Sequence, residues 1–203
     1  RKGYADLVDW SRVTLVQMDE YAGLGSNHEQ SFAAYIRSHL AEPLGISEFM
    51  CFNDTQGNLQ QSLAEYDAKI SSFGGIDVTL FGVGENGHLG FNEPGSTPAS
   101  KTRMLPLDDR TLKSNAAGVS DDDFMIPTQG ITVGLSVLLS SKRSLLLASG
   151  TRKKDAIVNL VRGPISPEWP VTYLRNQLGS HVMFTEDCAP QRVAWEGSIR
   201  ASA

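Results

Sequence analysis

Residues 76–95 read IDVTLFGVGENGHLGFNEPG, and this segment is the strongest indication of how the chain folds and where it acts. Its first eight residues are mostly apolar and β-branched, a pattern typical of a buried strand in a parallel sheet. A glycine-rich turn follows, in which His88 and Glu93 bring an imidazole and a carboxylate together. Such a turn at the end of a strand indicates proton chemistry, because both groups can exchange protons in a tuned environment.

Strands and helices alternate along the rest of the chain. Strand patterns occur at residues 13–18, 144–148 and 182–184, and helical patterns at 27–40, 59–72, 132–139, 153–161 and 171–177. The connection 94–130 is polar and predicts active-site loops with one short helix near 110–117. The alternation predicts an α/β fold, namely a three-layer, open, mostly parallel sheet of Rossmann-like type.

The composition favours an enzyme that acts on a small molecule. The 203 residues are 40% hydrophobic, which suffices for one domain over residues 1–203. The net charge of -5 is scattered along the chain, so we expect neither nucleic acid nor a membrane as a partner. Cys51 and Cys188 form no disulfide framework or zinc motif, and a reducing cytoplasm is the expected location.

Polar groups follow three of the predicted strands. Asp19 and Glu20 follow the strand at 13–18, the turn at 84–95 follows the strand at 76–83, and residues 150–153 follow the strand at 144–148. In open α/β sheets, ligands bind beyond the carboxyl ends of the strands. We therefore expect one pocket to collect all three groups.

Each group also has a purely structural interpretation. Asp19 is typical of a turn former or a helix cap, and His88 can be a histidine that only packs. Lys153 stands beside two other basic residues, as in a solvated charge cluster. Its place at a helix N-terminus after Gly150 also fits phosphate binding, because backbone N–H groups there attract anions.

The chain resembles glucosamine-6-phosphate deaminases from about residue 10 to residue 190. The resemblance rests on MDEY at 18–21, GGID at 74–77, NGHLGFNEPG at 86–95 and GITVG at 130–134. The related 6-phosphogluconolactonases share the fold and a Gly-His element, but their pattern does not continue into Asn-Glu-Pro. The resemblance therefore implies the deaminase/isomerase type of fold and the deaminase rather than the lactonase.

The resemblance implies that glucosamine 6-phosphate is isomerised and deaminated to fructose 6-phosphate and ammonia, without a metal or organic cofactor. His88 would shuttle the proton that opens the sugar ring, with Glu93 in support and Asn86 as an orienting group. Asp19 would move a proton from C2 to C1 of the open chain. The resemblance further implies that Lys153 binds the phosphate.

Glu20, Gly84 and Gly87 complete the expected set of substrate-binding residues. They belong to the same motifs as Asp19 and His88, and the resemblance places them in the substrate pocket.

The chain departs from the family pattern at several positions. The family's N-terminal strand and Gly-Gly-Thr-Pro phosphate loop have no counterpart here, so we expect a single domain that is truncated at its N-terminus. Asn86 stands where the allosteric branch has aspartate and agrees with the short branch. Leu105 replaces a basic residue of the allosteric branch, which implies an incomplete effector site. An arginine that the family pattern places around Ala117 for the substrate phosphate is also absent, and Arg110 or Lys113 could substitute for it.

Three other functions stay open. Galactosamine-6-phosphate deaminases share the motif around His88, a lactonase relative shares the fold, and sugar-phosphate sensor domains use the fold without turnover. The intact Asp19, His88 and Glu93 argue against a sensor. The oligomeric state is open as well, with a homo-oligomer among the alternatives.

Overall fold

A computed structural model describes residues 7–52, 59–116 and 125–190. The strands are β1 (Thr14–Val16), β2 (Asp19–Tyr21), β3 (Glu48–Met50), β4 (Val78–Phe81), β5 (Arg103–Pro106), β6 (Gln129–Thr132), β7 (Arg143–Ala148) and β8 (Ser180–Phe184). The α-helices are α1 (Phe32–Ile36), α2 (Glu42–Leu44), α3 (Leu59–Ser72), α4 (Asp109–Ala116), α5 (Leu135–Leu138) and α6 (Lys154–Arg162). The helix and strand patterns at 59–72, 144–148, 153–161 and 182–184 agree with these bounds to within two residues.

The strands form two parallel groups and one antiparallel group. β1 pairs with β3, and β4, β7 and β8 pair in that order, all in parallel. β2, β6 and β5 form an antiparallel sheet that the sequence did not predict. The α/β class with mostly parallel strands is confirmed, and the antiparallel sheet is an addition to it.

The strand predicted at residues 13–18 is wrong in its extent, because the chain turns a corner at Gln17. The side chain of Gln17 is 1% exposed. Its Nε2 donates to the carbonyl of Asp19 and to Glu20 Oε2, both at 2.9 Å, and its Oε1 accepts from Phe52 N at 3.0 Å. These bonds satisfy polar groups at the corner. Asp19 consequently begins β2, at the junction of a parallel and the antiparallel sheet.

The helix predicted at 59–72 is confirmed, with the apolar face on which the prediction rested. Leu63, Tyr66 and Ile70 of α3 are buried in the main core. The hydroxyl of Tyr66 donates to the carbonyls of Gln17 at 2.8 Å and Met50 at 3.1 Å. The helix therefore packs directly against the corner that carries Asp19.

The helix predicted at 27–40 begins later than the sequence indicated. Ser31 caps α1, since its Oγ accepts from Ala34 N at 3.0 Å. The chain then continues through a π-helical turn at Arg37–Ala41 into α2.

The connection at 94–130 contains more regular structure than predicted. It holds β5, the start of β6, and α4, which confirms the short helix near 110–117. Residues 117–124 of this connection, with Ala117, lie outside the described residues. The helix predicted at 132–139 shortens to α5, because Thr132 ends β6, and the one at 171–177 is a 3-10 helix at Pro170–Asn176.

One face of the β4-β7-β8 sheet is buried and the other is open to solvent in the described part of the chain. Phe81 and Leu146 point into the main core with α6. On the opposite face Leu80 is 61% exposed and Met183 52% exposed. Among the described residues, β1 and β4 each pair on one side only, and a cavity lies between them. None of the described helices is long and apolar enough to cross a membrane.

Candidate active site

A cavity of about 920 Å³ lies along β1 and β4 and extends past their carboxyl ends. Five residues expected at the site line it, namely Asp19, Gly84, Asn86, His88 and Lys153. The structure thus brings the three post-strand groups together, as ligand binding at the carboxyl ends of parallel strands requires. No three His, Cys, Asp or Glu side chains in the described ranges are placed to hold a metal ion.

Asp19 has the properties of a general base. Burial raises the pKa of its carboxyl to about 7; His88 acts to lower the pKa and the neighbouring Glu20 acts to raise it. Efficient proton transfer needs a group whose pKa lies near the working pH, so that it can both take and return a proton. A carboxyl with a pKa near neutrality meets that requirement.

His88 is oriented by contacts on one side of its ring. Its Nδ1 lies 3.2 Å from Glu93 Oε2 and 3.1 Å from Thr111 Oγ1. The ring also lies directly over Gly84, where an added Cβ would be 2.2 Å from His88 Cε1. A side chain at position 84 would thus displace the ring. With Nδ1 engaged, Nε2 is the nitrogen left to exchange a proton with a ligand.

Glu93 is held as a carboxylate by several donors. Asn86 Nδ2 donates to its Oε2 at 2.8 Å, and the backbone N–H of Asp108 donates to its Oε1 at 3.3 Å. Burial alone would raise the pKa of Glu93, but hydrogen bonds from His88, Thr111 and Asn86 and the charge of His88 lower it overall. Asn86 also accepts from the backbone N–H of His88 at 3.3 Å. The amide therefore orients both members of the pair.

Glu20 does not face the cavity. The residue is 1% exposed, and its two oxygens accept from Gln17 Nε2 and from the backbone N–H groups of Tyr21, Phe32 and Ala33 at 2.9 to 3.1 Å. Two of these donors belong to the first turn of α1, where a carboxylate is favourable. Glu20 thus holds α1 against β2, and the substrate contact expected for it has no support in this geometry.

Gly87 has a packing function. Its φ of 83° is the left-handed conformation that glycine adopts readily, and an added Cβ would be 2.7 Å from the Trp169 ring. Its carbonyl accepts from Val171 N at 2.8 Å. Gly87 is absent from the residues that line the cavity, whereas Gly84 is among them. Gly87 therefore packs the turn at 84–95 against the 3-10 helix at Pro170–Asn176.

Three cations among the described residues line the cavity, namely Arg12, Arg110 and Lys153, and Arg110 adjoins Thr111, which contacts His88. Lys153 precedes α6, and burial lowers the pKa of its ammonium, while Glu85 raises it and Arg152 lowers it further. Arg110 reaches the cavity from α4, whereas Lys113 of the same helix is not among the lining residues. The structure thus distinguishes the two basic residues that sequence alone left equivalent.

Asn92 stabilises the turn at 84–95 through hydrogen bonds, a role that the sequence did not suggest. The residue is completely buried. Its Nδ2 donates to the carbonyls of Leu89 at 3.0 Å and Val133 at 2.9 Å, and its Oδ1 accepts from Arg103 at 3.0 Å. Arg103 also donates to Ser96 Oγ at 2.7 Å. The position of Asn92 inside the motif 86–95 was the only sequence signal for this role. Hydrogen-bond partners so distant in sequence cannot be predicted from spacing.

Comparisons with known proteins show which family the chain resembles. Residues 1–183 match the family model described as "Glucosamine-6-phosphate isomerases/6-phosphogluconolactonase". A glucosamine-6-phosphate deaminase of Bacillus pumilus is 39% identical over 170 residues, covering 83% of this chain and 70% of that protein. One of Streptomyces avermitilis is 37% identical over 184 residues, covering 90% and 70%.

Solved structures give the same result. The structure of a monomeric glucosamine-6-phosphate deaminase matches with a TM-score of 0.83 and 32% identity, over 90% of this chain and 76% of that chain. A 6-phosphogluconolactonase from Leishmania guyanensis matches with a TM-score of 0.69 over 95% of this chain and 80% of that chain. Its identity of 18% makes this a likeness of fold alone.

Proposed function

The chain belongs to the family of glucosamine-6-phosphate isomerases and 6-phosphogluconolactonases, and from this premise we propose that it converts glucosamine 6-phosphate to fructose 6-phosphate and ammonia. One observation carries the proposal. A carboxyl with a pKa of about 7, Asp19, lines the same cavity as a histidine that is paired with a carboxylate. This combination supplies the two proton transfers that the reaction requires.

Ring opening is the work of His88. The closed sugar must lose a proton from its anomeric hydroxyl and gain one at the ring oxygen. Nε2 of His88 can perform both transfers, while Glu93 at 3.2 Å from Nδ1 stabilises the imidazolium between them. Asn86 contributes through its hydrogen bond to Glu93 and carries no proton of its own.

Asp19 carries out the isomerisation by moving a proton from C2 to C1, and the loss of ammonia follows. The carboxylate removes the C2 proton of the open-chain aldehyde. The electron pair forms a C1–C2 double bond while the C1=O π bond breaks and its oxygen takes up a proton from water. The carboxyl then returns the proton to C1, which leaves a C=N bond at C2. Water adds to C2 and the C–N bond breaks, so that ammonia departs and the ketose remains. A buried carboxyl with a raised pKa suits this exchange because neither of its forms is strongly favoured at neutral pH.

The phosphate is the group that anchors this small and flexible substrate. Lys153 is the primary cation in the proposal, and Arg110 is the second, because both line the cavity. Binding energy from the phosphate positions the distant C1 and C2 atoms and so contributes to the chemical step. The cytoplasm is the proposed location, which agrees with two cysteines that form no disulfide.

The test is ammonia release from glucosamine 6-phosphate and galactosamine 6-phosphate. Asp19→Asn and His88→Gln should each abolish most of the turnover while the protein stays folded by circular dichroism. His181→Gln, at an exposed histidine of β8, is the matched control and should keep the wild-type rate.

The same experiment distinguishes the competing functions. Ammonia release from galactosamine 6-phosphate alone would assign the other epimer as the substrate and leave the proposed reaction unchanged. Binding of both sugar phosphates without ammonia release would identify a sensor domain. Hydrolysis of 6-phosphogluconolactone in place of deamination would reassign the chain to the lactonases of its family.

A further inference from the structure

Thr111 touches the catalytic pair from a helix that the sequence did not connect with it. The residue lies in the first turn of α4 and is 2% exposed. Its Oγ1 lies 3.1 Å from His88 Nδ1, the same nitrogen that is 3.2 Å from Glu93 Oε2. The Thr111 hydroxyl and the Glu93 carboxylate therefore meet at the same ring nitrogen of His88.

The hydrogens of this cluster can be assigned by counting donors. Glu93 is a carboxylate and only accepts, so the hydrogen in its 3.2 Å contact with His88 belongs to Nδ1. Towards this Nδ1–H the Thr111 hydroxyl can only accept, at 3.1 Å. A bare Nδ1 would place its lone pair against the Glu93 carboxylate without a hydrogen. The cluster thus favours the tautomer with hydrogen on Nδ1 and leaves the lone pair on Nε2.

Without Thr111, the Nδ1–H of His88 would have only Glu93 as its acceptor, and that carboxylate is shared with other donors. Asn86 Nδ2 and the backbone N–H of Asp108 already donate to its two oxygens. The Thr111 oxygen gives Nδ1–H a second acceptor at 3.1 Å and fixes the ring plane from another direction. Asp108 also accepts from Arg110 N at 2.9 Å, so the residue that anchors α4 on Glu93 sets the position of Thr111 as well.

We propose that Thr111 is a positioning residue that holds His88 in the tautomer with hydrogen on Nδ1, ready to accept the anomeric proton at Nε2. The proposal rests on the proposed function for its kinetic consequence, because ring opening is the step assigned to His88. The tautomer itself is a property of the protein without substrate and can be measured independently of turnover.

The test compares Thr111→Val, which keeps the volume and removes the hydroxyl, with Thr111→Ser, which keeps the hydroxyl. Nitrogen-15 NMR of histidine-labelled protein at alkaline pH reports the tautomer, and His88→Gln identifies the signal. Thr79→Val is the matched control, because Thr79 is a buried threonine whose hydroxyl has no hydrogen-bond partner among the described residues. Thermal unfolding of each variant checks the fold.

We expect wild type, Thr111→Ser and Thr79→Val to show hydrogen on Nδ1, and Thr111→Val to shift towards a mixture of tautomers. Loss of one such hydrogen bond should lower the kcat of Thr111→Val about tenfold, with KM within about twofold of wild type, and Thr111→Ser should restore most of the rate.

An unchanged tautomer in Thr111→Val would overturn the proposal, even if kcat fell. Equal losses of Nδ1–H in the valine and serine variants would overturn it too. A wild-type protein that releases no ammonia, together with a tautomer shift in Thr111→Val, would refute the proposed function and support the role of Thr111.

Discussion

Replacing Asp19 with asparagine should inactivate the protein and stabilise it at neutral pH. The wild-type carboxyl has a folded-state pKa of about 7, because burial penalises its charged form. The unfolded value is near 3.9. A difference of about 3 units corresponds to about 4 kcal/mol of cost for ionising the buried group. The carboxyl borders an open cavity, which lessens this cost. We therefore expect Asp19→Asn to raise the free energy of unfolding at neutral pH by about 2 to 4 kcal/mol.

The sign of the pH dependence follows from the raised pKa. Well below about pH 4 the carboxyl is protonated in both states and costs nothing. As the pH rises to about 7, the unfolded chain releases its proton while the folded protein retains it, so wild-type stability falls. Asparagine does not titrate. The stability advantage of Asp19→Asn should therefore grow by about 2 kcal/mol between about pH 5 and pH 8.

Urea unfolding at both pH values measures this advantage, and ammonia release measures the loss of activity. The variant should lose about 10²–10⁴-fold in kcat, as expected for removal of a positioned base. Asp77→Asn is the matched control, because the side chain of Asp77 is 79% exposed and its ion pair with Lys142 lies on the surface. A stability difference for Asp19→Asn that stays flat with pH would refute the argument from burial.

The remaining predictions concern the cavity. The kcat/KM should rise as the pH increases through about 7, because Asp19 acts as the ionised base, and a profile without this limb would remove Asp19 from that role. Gly84→Ala should lower kcat by about 10²-fold, because its Cβ would lie 2.2 Å from His88 and must displace the ring. Gly25→Ala, whose Cβ meets nothing within 4 Å, should keep the wild-type rate, and equal losses in both variants would contradict the steric reason. Arg110→Ala should raise KM for the sugar phosphate about tenfold and Lys113→Ala should not, since only Arg110 lines the cavity. Equal effects on KM would show that the charge of α4, rather than a contact, attracts the substrate.

The fold was predictable where the pattern of apolar residues along the sequence corresponds directly to which side chains are buried. The apolar face of α3 follows from helical spacing, and the strands β4 and β7 follow from their short apolar runs, although one face of their sheet is open to solvent in the described part of the chain. The corner at Gln17 was not predictable. Local pattern extends the strand to Met18, whereas the bonds from Gln17 to Glu20 and to Phe52 N turn the chain. Long-range pairing likewise produced β5 and β6 in a segment without periodicity.

The candidate site was predictable as a set of motifs and less so as a set of roles. Asp19 and His88 follow strand ends, where parallel sheets place ligands. Glu20 is adjacent to Asp19 in sequence, yet alternation along a strand points their side chains to opposite sides of β2. That geometry engages Glu20 with α1, while its neighbour faces the cavity.

The sequence by itself determined the α/β class, the catalytic turn at 86–95 and the kind of chemistry, because these depend on local composition and on residues close in the chain. The tertiary structure alone decided which groups meet. Packing of α4 brings Thr111 to His88 across 23 positions, and burial at the junction of two sheets gives Asp19 its pKa of about 7. Both effects arise from neighbours that are remote in sequence, since desolvation and hydrogen bonding depend on distance in space.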